Sequence, residues 1–187
     1  MQAFDYFAPN TLKDALDILR ANETARPMAG GTDLIVQLRE GRKKASAVVD
    51  VKSIPELNAL AYSPADGLVI GAAVALRQIY INAQIAQTYP GLMDAFTLVG
   101  GTAIQGRASV GGNLCTSSPA ADTICALIVH NAVCVIAGAN GLREVAVEDF
   151  NTAPGRTILQ AGELLVSIKI PAPPAGFGPG SGFPARR

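Results

Sequence analysis

The sequence predicts an α+β fold of two subdomains: a small α/β unit over residues 1–52 and a larger unit with a mainly antiparallel sheet over residues 53–171. Three observations predict it. Strand, helix, glycine-loop, helix and strand patterns alternate in the first unit. Two pairs of short apolar runs in the second unit flank turn sequences, as in β-hairpins. Apolar residues make up 49% of the 187 positions, enough for a buried core that both units can share.

The elements of the first unit follow from local patterns. A short strand is predicted at residues 4–8, and Thr11 is the expected cap of the helix that follows. Four apolar residues recur at helical spacing on one face of this helix: Leu12, Ala15, Leu16 and Leu19. A second helix over residues 33–39 is expected to end at Gly41, and residues 47–50 are predicted to form a short buried strand.

The second unit is predicted from two hairpins, three helices and a final strand. The hairpin strands are expected at residues 60–62 and 68–70, and again at 133–137 and 142–147. Helices are expected over residues 76–88, 91–99 and 119–131. The last strand covers residues 164–170 and stops at Pro171. Residues 172–187 are rich in proline and glycine, so we expect a flexible tail.

The stretch RASVGGNLCTSSPAAD at residues 107–122 is the most informative in the chain. Its paired glycines, Gly111 and Gly112, permit positive φ and a close approach of the backbone to a ligand. Backbone N–H groups in such a turn form an anion-binding concavity. Ser118 followed by Pro119 is expected to begin a helix. The stretch is therefore predicted to be a polar, glycine-lined loop that holds a phosphorylated cofactor.

A glycine pair followed by a polar residue recurs at residues 29–33 and 99–102. Each of these could be an ordinary turn. Two such loops, flanked by apolar runs and leading into helical patterns, favour ligand binding over that alternative. Asp33 and Asp122 each follow a glycine loop, where they could stabilise a helix N-terminus or contact a sugar hydroxyl of a nucleotide. The residues themselves leave both roles open.

Composition argues against several function classes. With 15 basic and 15 acidic residues the net charge is zero, and no basic block with interleaved aromatics indicates a nucleic-acid partner. The three cysteines form no CxxC pair, so neither a disulfide framework nor a metal site is indicated, and free thiols suit a cytoplasmic protein. No apolar run is long enough to span a membrane, and the N-terminus does not have the pattern of a signal peptide.

Catalytic motifs are sparse as well. A Walker A loop is excluded because Gly112-Asn113 stands where Lys-Ser/Thr is needed. No GxGxxG lies between the first strand and helix, which excludes a Rossmann fingerprint. His130 is expected to be structural, and Cys115 to be a buried thiol rather than a nucleophile, since no base can be assigned beside it. No catalytic residue is predicted.

Four motifs occur in the order and at about the spacing of a known family. They are MAGGTDL at 28–34, VKSIPEL at 51–57, IQGRASVGGNLCTSSPAAD at 104–122 and GELLVSIKIP at 162–171. On these residues the chain resembles the FAD-binding medium subunit of molybdenum hydroxylases, the group of xanthine dehydrogenase, carbon monoxide dehydrogenase and aldehyde oxidoreductase. The resemblance extends over residues 1 to about 171.

The resemblance implies a two-subdomain FAD-binding fold of the vanillyl-alcohol-oxidase/PCMH type, with FAD extended between the subdomains. The first glycine motif would wrap the pyrophosphate, and the second would contact the diphosphate, ribityl and adenosine side. Two leucines of the last strand would pack near the flavin or adenine ring. The cofactor-binding residues implied in this way are Ala29, Gly30, Gly31, Thr32, Asp33, Leu34, Ser109, Gly112, Asn113, Thr116, Asp122, Leu164 and Leu165.

The resemblance also implies an oxidoreductase subunit in which the flavin carries the chemistry, so that no protein acid or base is needed. Electrons would come from iron–sulfur clusters on a small subunit and go to NAD or another acceptor, and a large subunit would hold the molybdopterin. Family members continue into one more small domain, so residues 172–187 are expected to be a truncated linker to it. The alternative is a flavin-free assembly fragment. A third and weaker alternative is another flavin oxidase of the vanillyl-alcohol type, but such enzymes usually carry a longer substrate domain.

Overall fold

The computed structural model describes residues 2–174 and contains both helices and sheets, which confirms the predicted α+β class. The strands are β1 (Asp5–Phe7), β2 (Arg26–Met28), β3 (Ala47–Asp50), β4 (Leu60–Ser63), β5 (Gly67–Gly71), β6 (Val133–Gly138), β7 (Gly141–Ala146), β8 (Asn151–Ala153), β9 (Arg156–Thr157) and β10 (Leu164–Ile170). The helices are α1 (Leu12–Ala21), α2 (Leu34–Arg39), α3 (Leu76–Tyr80), α4 (Ala83–Thr88), α5 (Pro90–Leu98), α6 (Thr102–Gln105), α7 (Val110–Thr116), α8 (Ile124–Val129) and α9 (Val147–Phe150), with a 3-10 turn at Pro55–Leu57.

The first sheet is parallel and three-stranded, in the order β1-β3-β2. Its central strand β3 is buried along its whole length, as expected of a strand with neighbours on both sides. Helix α1 begins at the predicted cap, where the Thr11 hydroxyl accepts a hydrogen bond from the Asp14 N–H at 3.1 Å. Strand β2 is not predicted by the sequence pattern. Pro27 lies at its centre, and proline is tolerated there because β2 is an edge strand.

The second sheet is antiparallel and five-stranded, in the order β4-β5-β10-β6-β7. The pairs β4–β5 and β6–β7 are the two predicted hairpins, and the last strand, β10, lies between them. The register of β10 with β6 shifts between Leu165 and Ser167, which marks a β-bulge. Because β10 is central, the two hairpins are joined into one sheet only by the final strand of the described chain.

The two sheets share a core at their junction. One cluster of buried residues combines side chains of α1 and β3 with side chains of the second sheet, of the 3-10 turn before it and of the segment after β5. Its members include Ala15, Leu16, Leu19, Val49, Leu57, Ala73, Ala137, Leu164 and Val166. A larger cluster combines side chains of the second sheet with those of the helices that lie between its strands in the chain, with Tyr89, Phe96 and Phe150 fully buried. Apolar contact through α1 therefore fixes the first sheet against the second.

Two predicted helices are wrong in extent. Residues 76–88 form two helices, because α3 stops at Tyr80 and Asn82 caps α4 by accepting a hydrogen bond from the Ile85 N–H. The helix predicted from Pro119 begins only at Ile124, as α8. Ser118 does not cap a helix, since its hydroxyl accepts a hydrogen bond from the Ala120 N–H within a turn.

The chain leaves the second sheet beside a buried tyrosine. The Tyr89 hydroxyl donates a hydrogen bond to the Pro171 carbonyl at 3.0 Å, which ties the end of β10 to the helical layer. Of the predicted flexible tail, residues 175–187 lie outside the described residues. No helix within residues 2–174 combines the length and the apolar character needed to cross a membrane.

A paired carboxylate ties the second hairpin to the start of β10. Arg143 on β7 donates two hydrogen bonds to Glu163, from Nε to Oε1 at 2.8 Å and from Nη2 to Oε2 at 2.7 Å. Glu163 also accepts one from the Gln160 N–H at 2.8 Å. The Arg143 bonds, helped by the Gln160 bond and opposed by burial, hold the pKa of Glu163 below its ordinary value.

Glu163→Gln should therefore lower the free energy of unfolding by about 1 kcal/mol at pH 7. The contribution of the carboxylate is present above about pH 4.3, the pKa of an unfolded glutamate. It is lost as the pH falls through the lower folded-state pKa. Urea denaturation between pH 7 and pH 3 measures it. Glu144→Gln is the control, because its pair with Lys169 is exposed and should contribute little. Equal losses in both variants would contradict the assignment.

Candidate functional site

The first glycine motif forms a turn between β2 and α2. Gly31 has a φ of +73°, a left-handed conformation that favours glycine. Leu34 begins α2 and packs with Met28 and Leu38, whereas Asp33 is exposed at the helix start and makes no capping hydrogen bond. The other two side chains of the motif are half-buried: Ala29 and Thr32. The motif is thus anchored by Leu34 and presents Asp33 at the surface.

Arg107 joins the two glycine motifs across 77 residues of chain. Its Nε donates a hydrogen bond to the Gly30 carbonyl at 3.1 Å. A Cβ at Gly30 would lie 1.9 Å from the Arg107 carbonyl oxygen, so glycine alone fits against this backbone. Gly30 and Arg107 also line, with Lys52, a cavity of about 190 Å³. The two motifs are therefore in direct backbone contact, which neither motif predicts by itself.

The second glycine motif is helical, which corrects the predicted loop. Ser109 caps α7 by accepting a hydrogen bond from the Gly112 N–H at 3.1 Å, and the glycine pair lies in the first turn. Neither Gly111 nor Gly112 has a positive φ. A Cβ at Gly111 would lie 2.5 Å from the Ala72 carbonyl oxygen. At Gly112 it would meet, outside the helix backbone, only the Ser109 hydroxyl at 3.1 Å. Gly111 therefore permits close packing, and Gly112 leaves an open face on α7.

The rest of α7 reaches the first motif and α8. The Thr116 Oγ1 and Asp33 Oδ2 atoms are 3.4 Å apart, at the limit of a hydrogen bond. The Asn113 side chain accepts a hydrogen bond from the Thr123 hydroxyl at 2.7 Å, and Thr123 is fully buried. Asp122, next to Thr123, is exposed. The structure thus brings Asp33 of the first motif to Thr116 of the second.

A small hairpin holds the end of α7, and the sequence patterns do not predict it. Ser117 has a φ of +50°, and its hydroxyl lies 3.0 Å from the carbonyl oxygens of Ala153 in β8 and Arg156 in β9. Asn151 donates a hydrogen bond to the Leu114 carbonyl at 3.0 Å. These strands are too short to show a periodic signal, so only their contacts with α7 reveal what they do.

The third glycine pair forms a turn before α6. Gly100 has a φ of +56°. The buried Gln105 side chain donates hydrogen bonds to the carbonyls of Thr97, at 2.8 Å, and Gly100, at 3.3 Å. It accepts one from the Tyr80 hydroxyl at 3.0 Å. A buried amide fixes this turn, which favours an ordinary structural turn over a ligand-binding loop at this position.

Leu164 and Leu165 lie in the core. They are 5% and 2% exposed, and they belong to different clusters. Leu164 packs with α1, whereas Leu165 shares the large cluster with Val110 and Leu114 of α7. Successive side chains of a strand point to opposite faces, which accounts for this division. Their contact with a flavin or adenine ring stays a prediction.

Two other side chains singled out in the sequence serve packing. Burial raises the pKa of the Cys115 thiol to about 12, so the thiolate is absent at neutral pH. His130 packs edge-on against Tyr89, with ring centroids 5.6 Å apart, and burial lowers its pKa. In the part of the chain that the structure describes, no cluster of three or more His, Cys, Asp or Glu side chains could hold a metal ion.

Ser109→Ala should remove the cap of α7 and lower the free energy of unfolding by about 1 kcal/mol. Because the cap fixes the turn that carries Gly112, the affinity for the predicted FAD should fall as well. Thr11→Ala is the matched control: it removes the cap of α1, whose bond to the Asp14 N–H is also 3.1 Å. It should cost similar stability and leave FAD affinity unchanged. Urea denaturation and flavin-fluorescence titration measure the two quantities, and equal affinity losses would contradict the assignment.

Comparison with known families matches residues 2–173 to the FAD binding domain in molybdopterin dehydrogenase. The match covers both sheets and both glycine motifs that meet at Gly30 and Arg107. The resemblance suggested by the four sequence motifs is therefore confirmed over nearly the whole described chain.

Individual relatives point to the same family. A putative xanthine dehydrogenase FAD-binding subunit of Escherichia coli K12 is 31% identical over 169 residues, covering 90% of this chain and 58% of the relative. The carbon monoxide dehydrogenase medium chain of Afipia carboxidovorans is 30% identical over 177 residues, covering 94% and 61%. The crystal structure of quinoline 2-oxidoreductase from Pseudomonas putida 86 matches with a TM-score of 0.88 at 31% identity, over 92% of this chain and 60% of that chain. The predicted fold is confirmed, and the chain spans about 60% of the length of these relatives.

Proposed function

Because the chain belongs to the family of FAD-binding domains found in molybdopterin dehydrogenases, we propose that it binds FAD where its two glycine motifs meet. The observation that carries the proposal is the direct backbone contact between the motifs at Gly30 and Arg107, beside the open face of α7 at Gly112. This arrangement brings the turn between β2 and α2 to the segment that leads into α7, and the glycine backbone at both places permits a close approach of a ligand. The residues present therefore fit a cofactor with an extended phosphate-bearing chain.

Each motif is assigned to a part of the cofactor. The turn at residues 29–34 would hold the pyrophosphate, because its glycine backbone can approach closely. On α7, Asn113 and Thr116 would offer an amide and a hydroxyl to the ribityl or adenosine side. Asp33 and Asp122 are both exposed and would accept hydrogen bonds from sugar hydroxyls. Ser109 would act mainly by holding the helix start, since its oxygen already accepts from the Gly112 N–H.

The chain would bind and orient the cofactor, and the cofactor would supply the redox chemistry when bound. The buried packing of Gly111 on Ala72, and of Leu165 beneath α7, makes a rigid wall for that purpose. In the proposed complex, the chain stands between a small iron–sulfur subunit and an electron acceptor, NAD or another. A large subunit holds the molybdopterin.

The proposed partners come from the relatives, which are subunits or chains of xanthine and carbon monoxide dehydrogenases. In the proposed organisation, residues 1–52 and 53–171 are two FAD-binding subdomains, each contributing one glycine motif. The parallel sheet lies within the first range and the antiparallel sheet within the second, which supports this division. The three free cysteines support the proposed cytoplasmic location.

The experiment is a visible absorption spectrum of the purified full chain, followed by denaturation and mass identification of any released chromophore. Released FAD is the expected result. Release of a flavin without the adenosine part would contradict the roles given to Thr116 and Asp122. A colourless chain that also fails to take up added FAD would overturn the proposal. If that chain still associated with an iron–sulfur subunit, the flavin-free assembly role would replace it.

A further inference from the structure

A cavity in the first unit lies outside the two glycine motifs and has no role in the proposed function. It measures about 260 Å³ and opens between the end of α2, the turn that follows it, and the residues before β1. The described residues that line it are Gln2, Phe4, Leu38, Arg39, Gly41, Lys43, Lys44 and Ala45. Three of these are cations, and none is acidic.

The three cations are not neutralised by neighbouring carboxylates. Within residues 2–174, Arg39, Lys43 and Lys44 make no ion pair with Asp or Glu. Arg42 in the same turn does, since its guanidinium contacts the Glu40 carboxylate. Arg42, which is paired, is therefore not part of the cavity wall, whereas the three cations without an ion pair are.

No carboxylate lies among the described residues that line the cavity with Lys43. Burial of the ammonium and repulsion by Arg26 lower the pKa of Lys43, and the carboxylate of Asp33 only partly opposes this. Lys43 is an exposed residue, so solvent screens much of this repulsion, and an anion in the cavity would offset the remainder. The wall is thus suited to an anionic ligand.

The size and floor of the cavity narrow the class of ligand. Its volume falls below the roughly 300–1,000 Å³ of sites for drug-sized molecules, so a whole dinucleotide does not fit. Phe4, Leu38 and Ala45 give it an apolar floor beneath the charged rim. We propose that this cavity binds a phosphate group, either as inorganic phosphate or as the phosphate of a small phosphomonoester. Several amino and guanidinium donors around one pocket match the three acceptor oxygens of such a group.

The backbone around the cavity is ordered before any ligand arrives. Gly41 has a φ of +72° and its N–H donates a hydrogen bond to the Leu38 carbonyl at 3.2 Å. The Lys43 N–H donates one to the Gln37 carbonyl at 3.2 Å, and the Asp5 N–H donates one to Ser46 at 2.9 Å. The segment that carries the cations is therefore fixed at both ends, which lowers the entropy cost of binding.

The test is calorimetric titration of the full chain with inorganic phosphate and, in a second arm, with ribose 5-phosphate, at constant ionic strength. Both arms are run with and without FAD, because we expect phosphate binding in this cavity to be independent of the proposed cofactor. Arg39→Gln and Lys44→Gln should each weaken phosphate binding about tenfold, as expected for one lost charge-assisted hydrogen bond. Arg42→Gln removes the same charge from the same turn and should have little effect. Circular dichroism checks that all variants are folded.

Each outcome decides the proposal. Tighter binding of ribose 5-phosphate than of phosphate would identify a phosphomonoester as the ligand, and equal binding would identify the phosphate alone. Three results would overturn the proposal: no saturable binding in either arm, an equal loss in Arg42→Gln, or loss of phosphate binding when FAD is present. The second would show diffuse attraction to a basic surface. The third would assign the cations to the cofactor.

Discussion

Replacing Gly112 with leucine should abolish FAD binding while the chain stays folded. Outside the helix backbone, a Cβ at this position meets only the Ser109 hydroxyl at 3.1 Å, so that hydroxyl has to shift by a few tenths of an ångström and no other described neighbour lies within 4 Å. Leucine is about 1 kcal/mol more favourable than glycine inside a helix, which offsets a small disturbance of the cap. The added side chain would occupy the open face of α7, and we expect FAD affinity to fall by at least about a hundredfold.

Gly111→Ala is the matched control for this variant, one residue away in the same turn. Its Cβ would lie 2.5 Å from the Ala72 carbonyl oxygen, so it tests packing. It should lower the unfolding free energy by about 2 kcal/mol and the Tm by about 4–8 °C. Flavin-fluorescence titration and thermal unfolding of the flavin-free chain measure the two effects. If Gly112→Leu bound FAD as tightly as the parent chain, the cofactor would lie elsewhere than on α7.

Much of the fold could be predicted because its signals are local. The cap at Thr11 and the turn between β6 and β7 each depend on a few neighbouring residues. Strands β3 and β10 stand out as apolar runs. The break at Asn82 also has a local signal, a capping residue, but the apolar spacing continues across it and predicts one helix.

The site was harder to predict because tertiary contacts decide it. A glycine pair favours a loop, but Val110 and Leu114 are four residues apart, buried in the large cluster, and hold the segment as a helix. Gly111 and Gly112 look alike in sequence, yet a Cβ at Gly111 would meet the backbone of Ala72, whereas one at Gly112 would meet only the Ser109 hydroxyl outside the helix backbone. Arg107 lay inside the predicted motif, but its bond to Gly30 spans 77 residues and has no local signal.

Adding one methyl group at Gly30 should separate the two glycine motifs. The Cβ would lie 1.9 Å from the Arg107 carbonyl oxygen and 3.0 Å from the Ala108 nitrogen, and these backbone atoms cannot rotate away. One of the two segments has to move. We expect Gly30→Ala to lower the unfolding free energy by roughly 3 kcal/mol and the Tm by about 6–12 °C. FAD binding by this variant should fall below detection.

Two further variants separate the contact between the motifs from stability in general. Gly41→Ala introduces backbone strain of about 1 kcal/mol at a φ of +72°, with nothing within 4 Å of the new methyl group, and should leave FAD affinity unchanged. Arg107→Gln removes the bond to Gly30 without a clash, so we expect FAD affinity to fall about tenfold with less than about 1 kcal/mol lost from stability. If Gly30→Ala bound FAD normally, the contact would serve the fold alone. If affinity fell equally in the Gly41 variant, FAD binding would follow overall stability, and Gly30 and Arg107 would have no particular place in the site.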